Sequence, residues 1–129
     1  MSRLFGIAGV QMSVVHWDAD ATFAKMSDLV LNIRKQFPWV DMMVFHELVV
    51  PALVQFVTPD DKDWWKNNSG SVPGPQTDRL CEVARKTNRW LIPGSMWEIE
   101  GGKMYNTSVV ISPNGDIVAK YRKMFMAAL

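Results

Sequence analysis

The sequence predicts an α/β layered fold built on a mixed sheet, on three observations. A short apolar run, a stretch with helical apolar spacing and a second short apolar run come first. A further helix signal follows residue 74. The chain then breaks into short strand-like runs separated by turn residues, which predicts an antiparallel meander.

Each element follows from its residues. Leu4 to Val10 reads as a buried strand. Asp18 or Asp20 caps the next helix, whose apolar positions are Phe23, Met26, Leu29, Val30, Ile33 and Phe37, and Pro38 ends it. Met42 to Phe45 is a second buried strand, so the first three elements predict a parallel pair joined by a crossover helix. Residues 54 to 74 read as one irregular loop, with Trp64 and Trp65 assigned to the core. Pro75 opens a second helix, with Thr77, Leu80, Cys81 and Ala84 on one face and Asn88 at its end. Trp90 to Trp97 is expected as a third strand and Gly101-Gly102 as a hairpin turn. Tyr105 to Ile111 is a fourth strand, Pro113-Asn114-Gly115 a turn, and Ile117 to Tyr121 a fifth strand. The helices cover one sheet face. The other face is not obviously polar, and nine Met and six Trp fit an apolar surface that needs a cover.

Composition excludes several classes of function. The 129 residues suit one domain. A net charge of +1 without a basic stripe argues against a nucleic-acid partner. No apolar run approaches the roughly 20 residues that span a bilayer, so no membrane association is expected. Gln11 and His16 interrupt the apolar start, and no small-residue cleavage site follows it. A single cysteine, Cys81, permits no internal disulfide and fits a reducing, cytoplasmic setting. His16 and His46, even with Asp18 and Glu47, lack the close spacing of metal ligands. Residues Gly70 to Gly74 lack the Lys-Ser or Lys-Thr ending of a phosphate loop. Neither metal nor cofactor is expected.

Two residues are candidates for chemistry. Glu47 follows the second strand, and the carboxyl ends of parallel strands are where α/β sheets place ligands. Between Phe45 and Leu48 its carboxyl would be partly desolvated, which raises a carboxyl pKa toward general-base range. On position alone, a capping or salt-bridged glutamate is the simpler reading. Lys123 ends the last strand, where a compact ammonium would suit a developing oxyanion. Alone, it reads more simply as part of a solvated patch with Lys120 and Arg122 that deters edge pairing.

Their shared context is more specific. Phe45-His46-Glu47 at a strand end is followed by Tyr105-Asn106-Thr107 in a later strand and then by Lys120-Tyr121-Arg122-Lys123. Gln11, Gly74-Pro75 and Pro93-Gly94-Ser95 stand at matching places. From Leu4 to Phe125 the order resembles the nitrilase superfamily of carbon–nitrogen hydrolases, which includes nitrilases, aliphatic amidases and carbamoylases. The resemblance implies part of a four-layer α-β-β-α sandwich and a Glu-Lys-Cys triad that cleaves a small-molecule amide or nitrile. It implies Glu47 as general base for the thiol and Lys123 as oxyanion stabiliser, with acyl transfer through a thioester.

The departures carry equal weight. In the family the Cys lies beyond the Lys at another strand end, but no Cys follows Lys123 here. A second Glu after the Lys is missing, Met126-Ala127-Ala128-Leu129 does not match the family loop, and His46 replaces a common Pro. Cys81, within a helical face, reads as a small hydrophobe rather than a nucleophile. Residues 1–129 are therefore expected to be a truncated, N-terminal portion of one hydrolase domain, inactive alone. Such a chain should form a homo-oligomer or bind a complementing chain that supplies the Cys. The alternative is an inactive binding or regulatory partner of a full-length relative. An unrelated flavodoxin-like domain would require five parallel strands.

Overall fold

The computed structural model describes residues 3–52, 60–61 and 63–125. Strand β1 (Gly6–Val10) leads through a loop into helix α1 (Ala19–Gln36). Of the two candidate caps, Asp18 takes the role: its Oδ1 accepts a 2.9 Å hydrogen bond from the Ala21 amide. Arg34 and Lys35 complement the helix dipole in the last turn. Thr22, Met26 and Val30 form its buried face, and Phe23, Leu29 and Ile33 pack against the core beside them. Phe37 departs from the expected stripe. It is the C-cap, 45% exposed, and meets Trp39 edge-on rather than the core.

Strand β2 (Val40–Phe45) returns parallel to β1, pairing Ile7 with Met42 and Val10 with Phe45. The 54–74 loop is not wholly irregular. A one-turn helix α2 (Trp64–Asn67) and a two-residue strand β3 (Ser69–Gly70) lie within it, while residues 54–59 and 62 fall outside the described residues. Trp64 is buried and joins Trp17, Trp65 and Trp97 in a chain of edge-on contacts at 5.0 to 5.7 Å. Helix α3 (Pro75–Thr87) begins at Pro75 as expected and ends on Asn88, whose φ of 52° suits an αL cap.

The expected strand 90–97 is two strands, β4 (Trp90–Ile92) and β5 (Ser95–Glu100). Pro93 lacks an amide donor and Gly94 has a φ of +77°, so the ladder breaks between them. The break has a purpose in the topology. Both strands run antiparallel to β6 (Lys103–Ile111), but β4 lies parallel to β2 on its other side whereas β5 lies parallel to β3. Gly101 and Gly102, both at positive φ, close the β5–β6 hairpin. β7 (Ile117–Arg122) pairs with the other side of β6. The seven strands form one mixed sheet in the order β1-β2-β4-β6-β5-β3, with β7 alongside β6. A five-stranded parallel sheet is excluded.

Both long helices cover the same face. Met43, Leu91, Met96, Val109 and Ile111 from the sheet meet Met26, Val30, Leu80 and Ala84 from the helices. Because side chains alternate along a strand, Ile7, Val44, Ile92, Val110 and Tyr121 point to the opposite face. Neither long helix covers that face, and Ile7 and Tyr121 remain about 60% exposed. This is the expected apolar, uncovered face. No helix among the described residues is long and apolar enough to cross a membrane.

Candidate active site

The site lies on the uncovered face, beyond the carboxyl end of β2. The backbone turns sharply after Phe45, with Leu48 at a φ of +55°. This left-handed conformation costs a non-glycine residue on the order of 1–3 kcal/mol and persists only where neighbours hold it. Ser95 at the start of β5 does so, its Oγ accepting the Leu48 amide at 2.9 Å. Gly94 packs so closely that a Cβ there would collide with the His46 carbonyl. His46 itself spans two segments. Its Nε2 and Nδ1 lie 2.9 and 3.0 Å from the carbonyl oxygens of Met12 and Glu47, and a ring N–H donates there. A proline in its place would lack that tie.

The turn delivers Glu47 to Lys123, 76 positions later in the chain. Lys123 Nζ donates to Glu47 Oε1 at 2.7 Å, and Asn106 Nδ2 donates to the same oxygen at 2.7 Å. The Lys123 amide donates to the Asn106 carbonyl at 2.9 Å, which ties the β7 exit to β6. Glu47 Oε2 receives no donor among the described residues. The group opens into a depression of about 240 Å³ whose lining includes Ile92, Ser95, Ser108 and Tyr121.

The electrostatics differ from the expectation that burial would raise Glu47. The Lys123 hydrogen bond outweighs desolvation and, with Asn106, holds the Glu47 carboxyl below its ordinary range. The reason is exposure: the Glu47 side chain keeps 46% of its surface in solvent. The capping and salt-bridge reading of Glu47 and the paired-cation geometry thus coincide. Lys123 is set apart from the edge patch, since Lys120 and Arg122 turn to the opposite face, where both bind Glu98.

Cys81 is remote from this chemistry. It packs beside the core from α3, on the helix-covered side, and burial pushes its thiol up, away from thiolate. His16 is exposed, and His46 is engaged by carbonyls. Among the described residues no three His, Cys, Asp or Glu side chains gather as a metal site. Sequence reasoning passed over Asn106 and Ser95 as individual contributors. A buried Asn inside a strand run was the available signal, because Asn is depleted in strands.

Comparison with known proteins places the chain in a family. The carbon–nitrogen hydrolase family profile matches residues 6–127. Human omega-amidase NIT2 is 38% identical over 71 residues, covering 55% of this chain and 26% of the relative. A Bacillus cereus formamidase is 28% identical over 109 residues, covering 83% of this chain and 31% of the relative. Among solved structures, an N-terminal amidase superposes with a TM-score of 0.75 at 18% identity, over 94% of this chain and 28% of its own. Saccharomyces cerevisiae Nit3, a member of branch 10 of the nitrilase superfamily, gives 0.74 at 23%, over 92% and 44%. The chain thus spans less than half the length of each of these proteins. With the profile running from β1 past β7 and the mixed sheet shared with nitrilase-superfamily structures, this chain belongs to the carbon–nitrogen hydrolase family.

Proposed function

We propose that these residues form the N-terminal portion of a hydrolase domain that cleaves small amides or nitriles, with Glu47 as general base and Lys123 as oxyanion stabiliser. The observation that carries the reading is the arrangement of donors on Glu47. Both Lys123 and Asn106 bind Oε1, so the carboxylate is oriented while Oε2 stays available to take a proton. A thiol near Oε2 would be activated by proton transfer and attack the amide or nitrile carbon. The ammonium of Lys123, whose side chain is two-thirds buried at the rim of the depression, would steady the charge that forms. The names of the amidase relatives favour an amide.

The nucleophile in this reading comes from residues outside these 129, on a longer polypeptide or on a complementing chain seated on the uncovered sheet face. The 129-residue chain alone should release no ammonia from simple amides or nitriles above background. In a serine triad, loss of the nucleophile costs about a million-fold. The test uses the protein isolated from its own source, its intact mass read under denaturing conditions. Ammonia release should be abolished by thiol alkylation and fall at least a hundred-fold in Glu47→Gln and in Lys123→Met. Turnover that survives Glu47→Gln, or that the isolated 129-residue chain sustains, overturns the reading.

A further inference from the structure

A second carboxylate explains how Lys123 comes to face Glu47. Glu98 on β5 is 1% exposed and lies on the helix-covered face. Four donors fill its two oxygens. Thr107 Oγ1 and Arg122 Nε bind Oε2 at 2.6 and 2.9 Å, and Lys120 Nζ and Arg122 Nη2 bind Oε1 at 2.8 Å each. Arg122 therefore grips the carboxylate with both arms of its fork, and it also lies 4.0 Å over the Tyr105 ring.

The β7 sequence makes this grip consequential. Lys120 and Arg122 in β7 and Lys123 immediately after it, still tied to β6 by its amide, place cations on both faces of one short segment. A slip of one residue would turn Lys123 to the helix side and offer Arg122 to Glu47. Backbone pairing alone guards weakly against this. Among the described residues β7 pairs only with β6, and that ladder already carries an irregularity between Val110 and Ile111. In the observed register two cations two residues apart, Lys120 and Arg122, reach Glu98 on one face, whereas a one-residue slip would leave Lys123 as the one β7-side cation there. Fixing register is the best-attested role of a buried ionic group.

We propose that Glu98 is the register key of β7 and, through Lys120 and Arg122, the positioning residue that presents Lys123 to Glu47. What Lys123 then does rests on the reading above; where it sits does not.

The test is the titration of the Glu47 side-chain carboxyl by ¹³C NMR, in the full chain and in variants shown to be folded by circular dichroism. In Glu98→Gln the Glu47 midpoint should rise to the ordinary glutamate value as Lys123 leaves it. The sign is decisive, because loss of a nearby negative charge alone would lower the midpoint. A merely stabilising Glu98 would leave it unmoved. Glu100→Gln, which removes only the exposed partner of Arg122, should change nothing. Should Glu98→Gln not fold, Arg122→Lys keeps the charge and removes the fork, and a smaller rise is expected. An unmoved or lowered Glu47 midpoint in the folded variant, or an equal rise in Glu100→Gln, overturns the proposal. A rise without hydrolysis in the source protein would leave the register key standing and remove the catalytic reading instead.

Discussion

Acid should weaken this fold through one residue more than any other. Arg122, then Lys120 and Thr107, hold the Glu98 carboxyl down from 4.5 to about 2 against the opposing effect of its burial. At about 1.4 kcal/mol per unit, that displacement amounts to about 3 kcal/mol of stability. The figure is an upper bound, since Lys120 and Arg122 keep 34% and 30% of their side-chain surface in water, where they are screened. The folded pKa lies below the unfolded one, so the contribution is complete above about pH 4.5 and is lost as pH falls toward 2. Urea unfolding at pH 7, 4.5, 3 and 2 measures it when wild type is compared with Glu98→Gln. The variant should be weaker at pH 7, by up to the 3–5 kcal/mol typical of a broken buried pair. The gap should close as the pH approaches 2, because wild type then carries a neutral side chain too. Carboxylates other than Glu98 and Glu47 titrate alike in both proteins and cancel, and the Glu47 change proposed above, a lowered carboxyl in wild type and an ordinary one in the variant, closes the gap in the same direction. A gap of constant size from pH 7 to pH 2 would refute the assignment of acid sensitivity to Glu98.

Three further outcomes follow from single contacts. Leu80→Ala, at a fully buried position between helix and sheet, should cost about 2–5 kcal/mol in urea unfolding. Gly94→Ala should destabilise the fold and shift Glu47, because its Cβ meets the His46 carbonyl and its φ is +77°; melting and the Glu47 ¹³C titration report both. Cys81→Ala should leave thiol-dependent ammonia release by the source protein unchanged, and complete loss in a folded variant would return Cys81 to candidacy.

The parts of the fold written in local chemistry were legible. Asp18, Pro75, Asn88 and the Gly101-Gly102 turn each act where the residue type alone puts them. The apolar spacing of α1 failed only at Phe37, where the helix had already ended and the aromatic ring found Trp39 instead of the core. The split at Pro93-Gly94 was present in the residues, but an unbroken apolar run masked it, since both halves are strands that pair with β6 and differ in their second partner, β2 or β3. Glu47 and Lys123 were found as candidates through their order along the chain. Their 2.7 Å contact was not legible, because it depends on the register of β7 against β6. Glu98 was invisible for the same reason: a lone Glu in a strand acquires meaning only when two cations arrive from 22 and 24 residues away.

The two carboxylates on this sheet differ in how freely each could exchange a proton. They sit on opposite faces, and each is paired with cations of the same β7 segment. Glu98 has donors on both oxygens and almost no solvent contact, so protonating it at neutral pH would break a filled network. It is a fixed charge. Glu47 has both its donors on one oxygen, keeps nearly half its surface exposed and borders a depression that Lys123 also lines. Covering this face would act on Glu47 in two opposed ways. Desolvation would raise its pKa, while a lower dielectric would strengthen its attraction to Lys123. A substrate oxygen that drew Lys123 away would remove the second effect and leave the first. Glu47 would then become a stronger proton acceptor at the moment a thiol beside Oε2 needed one, which is the behaviour required of a general base in acyl transfer.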